Sequence, residues 1–293
     1  MASMRDIKRR RISIQSTQQI TKAMKLVSTV KLQKARTRAE NSKAYFDCMY
    51  KTITSMLAKA GNIEHPYLQL SASKKVGIVV VTSNRGLAGG YNSNVIKLVT
   101  GGEFNREDVR IYAVGSKGAD SLAHKHYQVV QNYSELIEEP TYGDAQMIGK
   151  QLLEDFANGE IGEIYLAYTV FKNTVSHVPT LMKLLPVDPS ELKTEDGVEE
   201  SMSEVDKLTL MNFEPEEEEA VELLIPKYMT SILYGAFVEA VASENGARMQ
   251  AMDSATSNAE EMIDDLALKY NRARQGAITQ ELTEIIAGSE ALS

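Results

Sequence analysis

The sequence holds few of the residues from which catalytic and ligand-binding sites are usually built. It has no Trp, aromatic residues make up 6% of it, and Cys48 is its single cysteine. One cysteine excludes an internal disulfide, and no cluster of Cys or His has the spacing of metal ligands. Because stacking rings are scarce, an aromatic ligand pocket is disfavoured as well. The composition predicts a protein of a reducing compartment that has no metal and no cofactor.

Long apolar runs are also missing. The best stretch is the short Val76–Val81, whereas a helix that spans a bilayer needs roughly 20 apolar residues. We therefore expect a soluble or peripheral protein without direct membrane insertion. The N-terminus lacks the apolar segment of a secretory signal. Its Arg and Ser content also fits an organelle transit peptide, but the same residues continue into a helical pattern.

The net charge is −8, and the charged residues are distributed unevenly along the sequence. Residues 1–43 hold twelve Lys or Arg and two acids, Asp6 and Glu40, whereas residues 188–222 hold fourteen acids and two lysines. A basic arm suggests either a nucleic-acid partner or acidic protein surfaces. This arm has no aromatic residue before Tyr45 and no recognised DNA- or RNA-binding motif. We therefore favour protein partners and expect no nucleic acid.

Both ends of the chain predict long helices. Residues 7–60 contain no Pro or Gly, so a single helix over 1–60, roughly 80 Å long, is predicted. Gly61 and Pro66 end this pattern. A second helical pattern runs over 214–290 and reaches roughly 100 Å at the same rise per residue. Pro226 is expected to kink it near its start.

The middle of the chain has a different period. The β-branched run Val76–Val81 predicts a strand buried on both faces, and further strands are predicted at 110–114 and 164–168. Helices are predicted at Ser116–His124 and 142–156. Strands that alternate with helices predict a Rossmann-like α/β domain over 67–187 with a parallel or mixed sheet. An acidic loop over 188–206 and a strand over 207–213 that returns to the sheet follow it.

The two terminal helices are expected to pair as an antiparallel coiled coil. Neither is apolar enough to be stable alone, so each needs the other. Apolar and small residues recur at alternating spacings of three and four, as in a coiled-coil seam. The predicted seam consists of Ala23, Val27 and Val30 in the first helix and Met252, Ala255, Ala259, Met262 and Leu266 in the second.

A glycine-rich turn over residues 83–92 follows the first strand and precedes a helix, a context suited to phosphate binding. It lacks the lysine and hydroxyl of G-x-x-x-x-G-K-[ST], and its glycines do not match G-x-G-x-x-G. A nucleotide site is the alternative interpretation. We favour glycines that serve a tight turn and close packing of strand and helix.

No catalytic residue is predicted. The four histidines, His65, His124, His126 and His177, stand apart in sequence and have no paired Ser or Cys pattern. The acids at 216–219 lie at the start of a predicted helix, where they complement its dipole.

Segments near both ends carry a specific resemblance. Residues 20–27 read ITKAMKLV, residues 270–275 read YNRARQ, and residues 278–285 read ITQELTEI. Together they resemble the gamma subunits of F-type ATP synthases. The likeness extends through residues 83–92, 178–180 and 242–244, and the GGYN variant at 89–92 resembles bacterial members. Asn84 departs from the family, which usually has Asp there, and the stretch 188–206 has no Cys for the thiol switch of chloroplast members.

This resemblance implies a non-catalytic central stalk. The paired helices would turn inside a ring of three alpha and three beta subunits, and the α/β domain would lie on the membrane c-ring with the epsilon subunit. Ion-driven rotation would then be coupled to ATP synthesis or hydrolysis, with the protein peripheral on the cytoplasmic side of the cell membrane. The choice of H⁺ or Na⁺ lies in the membrane ring.

The resemblance also assigns contact residues. Met24 and Lys25 would lie near the acidic loop of a beta subunit. The residues that would face the catalytic ring are Met24, Lys25, Arg248, Arg274, Gln275, Thr279 and Glu281. The apolar tip that would turn within a hydrophobic sleeve is Ile278, Leu282, Ile285 and Ile286, because such contacts are non-directional.

Overall fold

The chain divides into two compact units. Residues 1–29 and 248–293 form one, here called the terminal unit, and residues 30–247 form the other, the central unit. The structure is a computed structural model that describes residues 4–59, 65–68, 73–102, 104–174, 176–187 and 217–292. The acidic loop and the returning strand predicted over 188–213 lie outside the described residues.

Two long helices bracket an alternation of strands and helices. The first is α1 (Met4–Lys59) and the last is α5 (Glu217–Leu292), which continues through Pro226. The elements between them are β1 (Val76–Val81), α2 (Tyr91–Thr100), β2 (Val109–Val114), α3 (Ser116–His124), β3 (Gln128–Asn132), a 3-10 turn (Ser134–Glu138), α4 (Tyr142–Ala157), β4 (Glu163–Phe171) and β5 (His177–Leu185).

The strands form one mixed sheet in the order β3-β2-β1-β4-β5. β1 pairs in parallel with β2 and β4, and β2 pairs in parallel with β3. β5 runs antiparallel to β4. The order 3-2-1-4 is that of Rossmann-type sheets. The predicted fold class, long terminal helices with a Rossmann-like α/β domain between them in sequence, is confirmed.

Apolar side chains cover both faces of the sheet. Alternate residues of β1 point to opposite faces, so Val79 and Val81 join one core while Ile78 and Val80 join the other. The first core is completed by α4 and by the part of α5 in the central unit, and the second by α2 and α3. All six residues of β1 are buried, as its unbroken apolar run predicts.

The edge strands β3 and β5 were not predicted. β3 reads QVVQN and is exposed or half-buried along its length, so it has no apolar run to mark it. β5 includes Pro179 and Lys183, which belong on an edge strand where a missing N–H or a charged side chain is tolerated. Hydropathy finds the central strands of a sheet more readily than its edges.

Two contacts fasten α5 to the sheet within the central unit. The Ser243 hydroxyl, which is fully buried, donates to the Thr169 carbonyl oxygen at 3.1 Å. Three residues further on, a Cβ added to Gly246 would come within 2.6 Å of His177 Cε1. An alanine at position 246 would therefore overlap the imidazole ring of His177 unless one of the two moved.

Candidate functional site

The terminal unit contains an antiparallel pair of helical segments, residues 4–29 of α1 and 248–292 of α5. The Thr21 and Thr256 hydroxyl oxygens are 2.8 Å apart, and Lys25 Nζ lies 2.6 Å from Asp253 Oδ1. From the first contact to the second, the residue number rises by four in α1 and falls by three in α5, so the two segments run in opposite directions. The predicted antiparallel pairing of the terminal helices is present in this unit.

The seam of this pair differs from the prediction in α1. Thr21 and Ser28 are its buried residues in this unit, at 8% and 2% exposure. Ala23 is exposed, and Val27 and Val30 are each 59% exposed. The predicted α1 seam is therefore wrong, because small hydroxyl residues, which hydropathy scores as surface, face the partner helix.

In the paired part of α5, three buried apolar residues are spaced by seven. Met252, Ala259 and Leu266 are buried, and Ala255 is half-buried. Met262, however, is 54% exposed, while Ile263 beside it is half-buried. The predicted seam position at Met262 is therefore wrong by one residue, and Ile263 takes its place.

The end of α5 carries an exposed apolar surface, here called the tip. Extending the Thr21–Thr256 pairing along both helices places Met4 opposite about residue 273. The tip residues lie further on, beyond the described start of α1. These residues are Ile278, Leu282, Ile285 and Ile286, and their side chains are 49–68% exposed. Large exposed apolar residues in one short segment are typical of a surface that contacts another protein.

Most of the family-matched contact residues are accessible. Those that lie on the exposed surface of α5 are Arg274, Gln275, Thr279 and Glu281. Met24 is half-buried. Arg248 is only 8% exposed, which contradicts its assignment as a surface contact. Lys25 is engaged with Asp253 and is not an isolated cation.

The glycine-rich turn after β1 is closed on itself. The Ser83 amide donates to Asn92 Oδ1 at 2.9 Å, and the Ser83 hydroxyl donates to the Arg85 carbonyl oxygen at 2.6 Å. Leu87 and Gly89 take positive φ angles of 63° and 55°, which turn the chain tightly into α2. The Ser83 amide and hydroxyl are thus used within the turn, which supports the packing interpretation.

Asn84 ties this turn to two neighbouring segments. Its Nδ2 donates to the Ser134 carbonyl oxygen at 2.6 Å, and its Oδ1 accepts from the Ser116 amide at the start of α3 at 2.9 Å. The N-terminus of α3, the other place where an anion would bind near this edge, is therefore capped from within. A carboxamide can both donate and accept, so the Asn84 side chain makes both contacts at once.

Close packing also requires glycine beyond the next strand. Gly115 has a φ of 121°, and a Cβ there would lie 2.1 Å from the Thr82 carbonyl oxygen. The Thr82 hydroxyl donates to the Gly115 carbonyl oxygen and accepts from the Gly118 amide. These contacts join the ends of β1 and β2 to α3.

The described residues contain no group of three or more His, Cys, Asp or Glu that could hold a metal ion. His177 is half-buried against Phe171, with ring centroids 5.9 Å apart, and burial lowers its pKa. Asp155 is buried, but Tyr112 donates to it and Gln151 Nε2 donates at 2.9 Å, so it is a satisfied core carboxylate. Burial raises the pKa of Tyr112 and keeps the phenol protonated.

Among the described residues, one helical stretch, Val221–Ser289 of α5, is long and apolar enough to cross a membrane by length and composition. However, 56% of its most apolar window is buried inside the protein. The core helix of a soluble protein passes the same test, so the stretch is weak evidence for a membrane span.

Comparison with known proteins gives a consistent assignment. Residues 3–292 match the family described as ATP synthase. The chain is 64% identical to the ATP synthase gamma chain of Lachnoclostridium phytofermentans over 100% of both proteins. It is 43% identical to the sodium ion specific ATP synthase gamma chain of Acetobacterium woodii over 99% of both.

Two solved structures that resemble this chain also come from ATP synthases. A chain in the central stalk and c-ring structure of Tetrahymena thermophila mitochondrial ATP synthase is 26% identical with a TM-score of 0.59, covering 80% of this chain and 99% of that one. A chain of Euglena gracilis mitochondrial ATP synthase is 20% identical with a TM-score of 0.71, covering 99% and 94%, and shows the shared fold. The full-length match to relatives of the same name shows that the chain belongs to the ATP synthase gamma chain family.

Proposed function

We propose that this chain is the central-stalk rotor subunit of an F-type ATP synthase and has no active site of its own. The observation that carries the proposal is the helix pair of the terminal unit, whose exposed tip lies beyond the described start of α1. Full-length identity of 64% to a gamma chain supports the same role. Rotation of the chain would couple ion flow through the membrane ring to ATP synthesis or hydrolysis by other subunits.

The proposed partners are three alpha and three beta subunits around the terminal unit and the epsilon subunit with the c-ring at the central unit. The chain would lie peripherally on the cytoplasmic side of the membrane. Surface contacts would come from Met24, Arg274, Gln275, Thr279 and Glu281, whose side chains are exposed or half-buried. The coupling ion would be chosen by the membrane ring, and gamma chains named with and without sodium specificity are both similar to this one.

Reconstitution tests the role directly. The chain is mixed with alpha and beta subunits, and the soluble complex is purified and assayed for ATP hydrolysis. We expect co-purification and hydrolysis that depends on this chain. A complex that assembles and hydrolyses ATP equally well without the chain would refute the proposal.

The tip offers a sharper test with a matched control. Ile285 and Ile286 are 68% and 60% exposed, so replacing both with Ser changes the free energy of unfolding of the isolated chain by about 0.5 kcal/mol or less. The same replacement at Leu268, 61% exposed in the paired part of α5, is the control. Coupled activity is expected to fall for the tip variant and to stay near wild type for the control.

Deletion of the last ten residues extends this test. Because the segment lies beyond the paired helices, we expect the loss to weaken coupling more than folding. A deletion that unfolds the isolated chain would contradict that geometry.

Nucleic-acid binding by the basic arm is the competing function. It would appear as salt-dependent binding of duplex DNA or RNA by the full chain. We expect no such binding at physiological salt.

A further inference from the structure

Two directional contacts cross the helix pair one turn apart. Thr21 faces Thr256, with hydroxyl oxygens 2.8 Å apart, and Lys25 Nζ faces Asp253 Oδ1 at 2.6 Å. Thr21 and Lys25 are four residues apart on α1, and Asp253 and Thr256 are three apart on α5, so each pair of residues shares one helix face. The contacts therefore form one continuous polar junction between the helices.

Two of the buried seam residues near this junction are small. Ser28 and Ala259 are buried at 2% and 6% exposure, and neither side chain is long enough to interlock with the opposite helix. Apolar burial is non-directional, so such a seam opposes separation of the helices more than it opposes axial sliding. Hydrogen bonds weaken steeply with distance and angle, so they oppose sliding.

The threonine contact is satisfied in either proton arrangement. Thr256 Oγ1 lies 2.7 Å from the Met252 carbonyl oxygen, and Thr21 Oγ1 lies 3.0 Å from the Gln18 carbonyl oxygen. Each hydroxyl has one proton, so one threonine donates across the pair while the other donates to its own helix. The bond between the helices is kept in both cases.

We propose that Thr21, Lys25, Asp253 and Thr256 form a clasp that fixes the axial alignment of the two helices. In this clasp Lys25 acts on Asp253 of its own chain and not on an acidic surface of a partner. Twisting a two-helix pair tends to slide one helix past the other, so a clasp would keep the pair acting as one body. The role in rotation rests on the proposed function, whereas the clasp itself does not.

The clasp is expected to contribute stiffness more than stability. The Lys25 and Asp253 side chains are 39% and 57% exposed, and exposed ion pairs add little to the free energy of folding. Loss of either partner is therefore expected to leave the fold intact while the local opening of the pair becomes easier. This difference separates a clasp from a general core contact.

A double-mutant cycle on the isolated full chain tests the pair. Amide hydrogen exchange of the terminal unit is measured for Lys25→Ala, Asp253→Ala, the double variant and the charge swap Lys25→Asp with Asp253→Lys. We expect each single variant to exchange about twofold to fivefold faster, the double variant no faster than either, and the swap to return toward wild type. Lys22→Ala, an exposed lysine of the same helix, is the matched control and is expected to have no effect.

The same variants in the complex with alpha and beta subunits distinguish the two roles of Lys25. If it acts on Asp253, coupled activity falls equally in both single variants and the charge swap restores it. If it acts on an acidic partner surface, Asp253→Ala is silent and the swap lowers activity further, which would overturn the proposal. Failure of the wild-type chain to assemble would refute the proposed function, while the exchange cycle would still decide the clasp.

A disulfide tests whether the helices must stay aligned. Thr21→Cys and Thr256→Cys are combined with Cys48→Ala, and the oxidised and reduced forms of one preparation are compared. We expect the disulfide to form and the oxidised complex to keep its activity. A disulfide that does not form, or one that blocks turnover reversibly, would contradict a fixed alignment.

Discussion

Replacing Gly246 with Ala measures how tightly α5 is fitted to the sheet. The added Cβ would lie 2.6 Å from His177 Cε1 and 3.1 Å from Nε2, whereas carbon atoms in contact normally lie about 3.5–4.0 Å apart. Relieving an overlap of this size in a packed site typically costs about 1–3 kcal/mol. Alanine gains roughly 1 kcal/mol over glycine inside a helix. We therefore expect a net loss of about 0–2 kcal/mol.

A matched substitution isolates the steric part. Gly149→Ala lies in α4 of the same unit, and its Cβ would meet Leu233 Cδ1 at 3.6 Å, an ordinary contact. We expect that variant to be more stable than wild type by about 0.4–1 kcal/mol. The free energies of unfolding are measured by urea titration followed by circular dichroism.

The imidazole ring provides the internal check. In a His177→Ala background the overlap at Gly246 is removed, so Gly246→Ala is expected to stabilise the chain there. Equal effects of Gly246→Ala in both backgrounds would refute the claim that the ring and the helix backbone compete for the same space.

Three further predictions concern polar contacts. Asn84→Ala is expected to cost about 1–3 kcal/mol in urea titration, and Asn84→Asp less, because a carboxylate still accepts from the α3 amide. Burial raises the pKa of Tyr112, so as the pH rises above about 10 the phenol ionises in the unfolded chain before it does so in the folded chain, and the free energy of unfolding falls. Tyr112→Phe is expected to make this fall shallower when unfolding is measured as a function of pH. Thr21→Val is expected to cost about 0.5–1.5 kcal/mol in thermal unfolding. Thr21→Val with Thr256→Val is expected to cost no more than either single variant, because the same contact is lost in all three. A double variant as costly as the sum of its singles would contradict the threonine contact.

Local pattern predicted the central elements of the fold well. The apolar run of β1 and the helix Ser116–His124 have the predicted bounds in the structure. Both elements have apolar residues at the period of the structure they form, and both pack into the core of the central unit. The edge strands carry polar residues or Pro179, so their pairing depends on the neighbouring strand and not on their own composition.

The paired helices show where pattern is insufficient. Sequence reasoning places the most apolar residues in the seam, yet Val27 lies outward and Thr21 and Ser28 lie inward. A hydroxyl that returns its proton to its own helix carbonyl is cheap to bury, so the seam does not require apolar side chains. The contact of Lys25 with Asp253 joins residues 228 positions apart, and nothing in either local segment predicts it.

The terminal unit is built from the first and last parts of the chain, which has a consequence for its synthesis. The contact of Thr21 with Thr256 cannot form until another 235 residues have been synthesised. At about 5–20 residues per second, translation takes roughly 10–50 s to cover that distance. During this time the start of α1 is on a nascent chain without its partner helix. A strongly apolar seam would expose apolar surface for the whole interval, whereas the hydroxyl side chains of Thr21 and Ser28 make the inward face of this segment more polar.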